Sequence, residues 1–176
     1  MKNNAFTLIE LLIVIAIAAI IVGVLIPLFH TSKQDAKIAK LLTLVDALKT
    51  ACEQYHFDTG EYATGNDLNK DSGVQGWNGP YTSHPLVQED NPFGGPISVV
   101  HELGISFDLD GGSNPDLFGP GNVLAFDVDS ETVAQKINDV IDKDIPGSPD
   151  VTGKVQFFSL GNSYHVDIYL CGGTSL

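Results

Sequence analysis

Apolar and polar positions divide this chain into three regimes. From Phe6 to Pro27 (FTLIELLIVIAIAAIIVGVLIP) the apolar run is almost unbroken, with one charge, Glu10, inside it. Between Leu11 and Ile26 no side chain is charged or hydrogen-bonding. As a helix rising about 1.5 Å per residue, Phe6 to Phe29 spans roughly 36 Å, enough to cross a bilayer. From Ser32 the period becomes amphipathic: Ile38, Leu41, Val45, Leu48, Cys52 and Tyr55 recur at spacings of three and four and share one stripe, while Asp35, Lys37, Lys40, Asp46, Lys49 and Glu53 take other faces. Such a stripe suits a coiled-coil seam. It also suits packing on this chain's own sheet, and the downstream strands, which need a layer to bury against, favour that alternative. Gly23 and Pro27 predict a kink or a meltable stretch, because proline removes a backbone donor and crowds the preceding turn. Gly60 predicts the helix stop.

Beyond residue 57 the pattern is that of a small polar head. Residues 58–96 are rich in glycine and proline turns and predict a long ordered loop with little regular structure, in which Trp77, Tyr81 and Phe93 are apolar pegs. Short β-rich segments follow at 97–100, 104–109 and 123–128. A hairpin is expected from 155–160 and 164–170, turning at Gly161-Asn162-Ser163. Between them Asp129 or Ser130 can cap a second helix with Val133, Ile137, Val140 and Ile141 on its apolar face. The expected class is α+β: a long N-terminal helix packed on a small antiparallel sheet. The expected segments are a leader at 1–5, a membrane or core helix at 6–29, an amphipathic continuation at 30–57, and a head at 58–176 with its sheet at 97–171.

Glu10 is the unusual residue of the apolar run. A carboxylate in hydrocarbon costs about 2.5–3.5 kcal/mol on insertion scales, so it either snorkels to the headgroups or meets a positive partner. A secretory signal carries its small-residue cleavage site beyond the apolar core. Here the small residue, Ala5, precedes that core, so a cut after it would leave the apolar segment in the mature chain and create a new amine on Phe6.

A short leader with Lys2, a small residue at the cut, and then Phe6-Thr7-Leu8-Ile9-Glu10-Leu11-Leu12-Ile13-Val14-Ile15-Ala16-Ile17 resembles the N-terminus of type IV pilins and type II secretion pseudopilins. The resemblance implies cleavage between Ala5 and Phe6 by a prepilin peptidase and methylation of the Phe6 amine. It further implies that Glu10 neutralises the amine of an adjacent subunit during assembly, and Pro27 falls where the family keeps a helix-kinking proline. Ala5 departs from the glycine usual before the cut. In the loop, Trp77-Asn78-Gly79-Pro80-Tyr81 and Asp90-Asn91-Pro92-Phe93-Gly94-Gly95-Pro96 are similar to the GPY and DPWG-like turns of major pseudopilins, with Asn91 inserted and Phe93 for tryptophan.

Charge narrows the partners. The net charge is −13 and every one of the nine basic residues is lysine, which argues against nucleic acid as a main partner. Lys33, Lys37 and Lys40 are expected to meet acidic heads of neighbouring subunits. The acidic stretch Asp108-Leu109-Asp110-Gly111-Gly112-Ser113-Asn114-Pro115-Asp116 is the candidate metal site, with Asp108, Asp110, Asn114 and Asp116 as oxygen donors for a hard cation. It starts like an EF-hand loop and then departs, with Gly119 where the bidentate glutamate belongs. Resemblance to pseudopilins, which hold calcium in a loop of this sheet, implies Ca2+.

The chain's two cysteines are Cys52, on the helix stripe, and Cys171, at the end of the last strand. Outside the cytoplasm a sheet packed on the helix can bring them into a disulfide; the alternative is two free thiols. His30, His56, His84, His101 and His165 have no metal-ligand spacing, and no phosphate loop or nucleophile elbow appears, so no enzyme is expected. The expected function is that of a pilin polymerising into a type IV pilus, with copies of itself, an assembly platform and minor pilins as partners. It would pass from the inner membrane to the cell surface. The alternatives are a major pseudopilin of a periplasmic pseudopilus and a singly anchored membrane protein whose acidic head binds calcium or a partner.

Overall fold

The computed structural model describes residues 7–112, 114–143, 145, 147 and 152–175, without the side chains of 24–31, 174 and 175. The chain divides into two compact units, Met1–Ala39 and Lys40–Leu176. The first helix, α1 (Leu8–Thr59), runs through both units and is not interrupted at Gly23 or Pro27. One lost donor in a ladder this long does not break it.

In the first unit α1 begins with a reciprocal cap. Thr7 Oγ1 accepts the Glu10 amide at 3.3 Å, while Glu10 Oε2 accepts the Thr7 amide at 2.9 Å and the Thr7 hydroxyl at 2.7 Å. The Thr-x-x-Glu spacing places both partners on one turn and satisfies amides the helix end leaves open. The large apolar side chains from Leu8 to Val22 are all exposed, Leu8 to 82%.

In the second unit α1 buries Leu41, Leu48, Ala51, Cys52 and Tyr55. The helix stops as expected: Gly60 turns left-handed at φ 74° and its amide bonds the His56 carbonyl at 2.8 Å. The following loop has only a short 3-10 turn at Gln88–Asp90. Its aromatic pegs hold it: Trp77 Nε1 donates to the Asp67 carbonyl at 2.9 Å, the Tyr81 hydroxyl donates to Asp58 at 2.9 Å, and Phe93 lies over Phe126. Buried Asn91 ties the turn to the sheet, its amide donating to the Asp127 carbonyl at 3.2 Å.

The sheet has four strands, β1 (Ile97–Phe107), β2 (Leu117–Val128), β3 (Val155–Leu160) and β4 (Ser163–Ser175), in the antiparallel order β1-β2-β4-β3. The segments expected at 97–100 and 104–109 are one strand carrying a bulge between Glu102 and Ile105. A bulge interrupts alternation, which is why the pattern reads as two pieces. The inward face is a register-matched set, with Val99, Leu124, Ile168 and Val155 on one row and Ile97, Phe126, Val166 and Phe157 on the next. All eight are buried.

The second helix, α2 (Glu131–Ile141), packs against β2, β3 and β4. Ser130 occupies its N-cap position without a side-chain bond. Its inward face is Ala134, Ile137 and Asn138, so the predicted face is rotated and Val140 is 44% exposed. Polar demand sets the rotation. Asn138 Nδ2 donates to the Val155 carbonyl and to Asp142 Oδ2, each at 3.4 Å, and buried Asp142 accepts the amides of Lys154 and Val155 at 2.8 Å. These bonds fasten the end of α2 to the start of β3.

A smaller core lies on the outward face, with Ile105, Phe107 and Val123 buried among Val100, Leu109, Leu117 and Tyr169. There the two outer strands of the sheet approach each other. The Gly153 amide donates to the Asp108 carbonyl at 2.6 Å and Gln156 Nε2 to the Ser106 carbonyl at 2.9 Å. Bulges in β1 and β2 supply the extra twist that curls this end shut.

Candidate functional site

Three predicted sites are separate in the molecule, and the structure speaks to each differently. At the N-terminus, Ala5 and Phe6 lie outside the described residues, as does the side chain of Pro27. Glu10 is described, and it is engaged with Thr7. Both bonds fall on Oε2; Oε1 accepts none among the described residues. The capping geometry thus orients the carboxylate toward the start of the helix and leaves one oxygen for a cation there. Among the described residues no helix is long and apolar enough to cross a membrane. Of the predicted span, side chains are described only as far as Gly23.

The acidic loop joins β1 to β2. Carboxylate oxygens of Asp108, Asp110 and Asp116 lie within 4.8 Å of one another. Asp108 Oδ1 accepts the amides of Gly111 and Gly112 at 2.8 and 3.1 Å, and Asp116 Oδ2 those of Leu109 and Asp110 at 2.7 and 3.1 Å. Asp110 Oδ1 likewise accepts the Gly112 amide at 2.8 Å, so among the described residues each aspartate shapes the loop with one oxygen and keeps the other. Three spare carboxylate oxygens fit part of the six to eight a calcium ion takes. Asn114 is exposed, and Ser113 lies outside the described residues.

Cys52 and Cys171 are brought together. Both are buried free thiols lying side by side, where a disulfide is the sequence expectation. Of the lysines expected to face neighbouring subunits, Lys40 donates to the Glu89 carbonyl of its own chain at 3.3 Å.

Residues 1–26 match the family described as the prokaryotic N-terminal methylation motif. A fimbrial protein of Moraxella nonliquefaciens is 30% identical over 154 residues, covering 83% of this chain and 96% of that protein. The chain belongs to the type IV pilin family.

Two further relatives of this pilin match over a shorter stretch. A fimbrial protein of Neisseria meningitidis serogroup A is 36% identical over 64 residues, 36% of the chain and 38% of that protein. The type IV major pilin protein PilE1 of Neisseria gonorrhoeae is 34% identical over 64 residues, 36% of the chain and 39% of that protein. The pilin thus spans a little over a third of the length of these neisserial relatives. No solved structure matches it.

Some residues that shape the pilin's sites escape a reading by type and spacing. Thr7 is the partner of Glu10, and its signal, the capping-box spacing, stands in the sequence but is hidden inside an apolar run. Asn122 is fully buried on β2 and has no sequence signal. Its Nδ2 donates to the carbonyls of Ala63 and Val100 at 2.7 and 3.2 Å, and its Oδ1 accepts the Ala63 amide at 3.3 Å. His165 bridges two carboxylates on the outward face, with Nδ1 2.7 Å from Asp127 and Nε2 3.4 Å from Asp167. Burial holds the Asp167 carboxyl above its ordinary value, opposed by the neighbouring His165.

Proposed function

We propose that this pilin is the structural subunit of a type IV pilus, assembled from copies of itself through the apolar part of α1. The observation that carries the reading is the likeness to a fimbrial protein over 83% of the chain, which extends beyond the methylation motif into the head. In this reading a prepilin peptidase cuts after Ala5, the Phe6 amine is methylated, and Glu10 offers its open oxygen to the amine of an adjacent subunit. Exposed apolar side chains on every face of Leu8–Val22 then become the packed interior of the polymer. The role is structural, and the inner membrane, an assembly platform and minor pilins serve it before and during assembly.

Imaging of sheared surface material tests the proposal. Filaments that contain the chain and disappear on its deletion are expected. Deletion that leaves surface filaments unchanged and abolishes protein export would instead assign it to a periplasmic pseudopilus, as the GPY-like loop of the sequence suggests.

A further inference from the structure

The assembly reading leaves the cysteine pair without a task. Cys52 lies on the inward stripe of α1 and is 0% exposed; Cys171 lies on β4 opposite Asn122 of β2 and is 8% exposed. Their thiols lie side by side, and Cys171 Sγ donates to Asn122 Oδ1 at 3.9 Å. They are the chain's only cysteines, about 120 residues apart, and the fold sets sulfur against sulfur. A core needing only small fillers has no reason to pair them, because free cysteine packs as any small hydrophobe does. Their chemistry is also unequal. In the closed head contact with Cys52 holds the Cys171 pKa below the ordinary thiol value, while contact with Cys171 and burial raise Cys52. Cys171 is also the less buried of the two, so it is the one an oxidoreductase reaches first as the last strand docks.

We propose that Cys52 and Cys171 become an intramolecular disulfide once the head enters an oxidising compartment, joining the last turns of α1 covalently to the last strand. The inference rests on the pilin reading only for that compartment. The oxidant is a thiol–disulfide oxidoreductase in its disulfide form. Cys171 thiolate attacks one of its sulfurs, giving a mixed disulfide and a free oxidoreductase thiolate. Cys52, deprotonated, then attacks the Cys171 sulfur and displaces the oxidoreductase. Two S–H bonds are lost and one S–S bond forms, and the oxidoreductase leaves as a dithiol carrying two electrons and two protons. Both sulfurs are covered in the closed head, so exchange precedes the final docking of β4 on α1. The bridge encloses β1, β2, α2 and β3 in one covalent loop, and a loop of this length restricts the unfolded chain strongly.

The test uses full-length chain recovered from sheared surface material without reductant, denatured, alkylated and mapped by mass. Neither cysteine should react before reduction, both should react after it, and the Cys52 and Cys171 peptides should be joined. Two alkylated cysteines before reduction would overturn the proposal. If no surface filaments exist, the pilin reading fails, and the bridge is decided on the purified full-length chain refolded in reduced and oxidised glutathione. There a monomeric bridged product supports it and two free thiols overturn it. The bridged chain should melt roughly 10 °C above its reduced form. A Cys171→Ser chain should melt with the reduced form, and bridged and reduced chains that melt together would remove the bridge as a staple.

Discussion

Thr7 and Glu10 exchange three hydrogen bonds, so the carboxylate that the assembly reading assigns to a neighbour is already oriented by its own helix. A side chain fixed in advance loses less freedom when it meets its partner. Glu10→Leu is expected to insert into membranes as wild type does and to yield no filaments in sheared fractions. Thr7→Val keeps the charge and loses its hydroxyl support, so reduced rather than abolished filament yield is expected. Equal yields from wild type and Glu10→Leu would remove Glu10 from assembly.

Asp142 shows the same logic in the head. Burial holds its carboxyl above the ordinary value of 3.8, against the amides of Lys154 and Val155, which lower it. The folded chain therefore keeps a proton where the unfolded chain has lost it. That contribution is complete below 3.8 and declines as pH rises through the folded value. The stability of wild type relative to Asp142→Asn should accordingly fall as pH is raised from 3.8 toward neutrality, as thermal melting at a series of pH values would read. At neutral pH Asp142→Asn should still cost about 1–3 kcal/mol, because one amide oxygen cannot serve both backbone donors as the carboxylate does. In the acidic loop, added calcium is expected to raise the melting temperature and a chelator to reverse it. Indifference to both would leave Asp108, Asp110 and Asp116 as turn formers stabilised by the loop's own amides.

At the scale of elements, legibility follows how local the determining forces are. The full extent of α1 and its stop at Gly60 follow from periodicity and one left-handed glycine, and the stripe from Leu41 to Tyr55 is buried much as its spacing predicts. The face of α2 is misread because Asn138 is drawn inward by the Val155 carbonyl and Asp142 by the Val155 amide, partners far off in sequence that no local pattern announces. Strand lengths are underestimated where bulges break alternation, at Glu102–Ile105 and around Gly121. There two strands nearly touch: a side chain on Gly172, at φ 106°, would run into the Gly121 Cα and meet the Pro120 carbonyl at 2.8 Å. Gly172→Ala combines a left-handed backbone with a backbone clash. It is expected to destabilise the head by roughly 2–4 kcal/mol in denaturant melts, with the loss greater than for the same change at Gly161, which has open space around it.

For the whole molecule, the N-terminal motif and the α+β class are plain from the residues alone, since both rest on dense local patterns. The convergence of Asp108, Asp110 and Asp116 is also foreseeable, as a loop of alternating acids has few ways to turn. The contact between Cys52 and Cys171 is foreseeable only once a sheet is laid on the helix. Asn122 and the Asp127–His165–Asp167 chain are not foreseeable, because each depends on strand register.

The bonds from Gly153 to Asp108 and from Gln156 to Ser106 also bear on crowding. In a polymer every head sits beside identical heads at very high local concentration, where an open strand edge invites a neighbour to add its own strand. Curling one end of the sheet until the segments beside β1 and β3 meet at Asp108 and Gly153 closes that corner to such an addition. A neighbouring head packed against that corner would meet side chains and loops rather than an open backbone ladder.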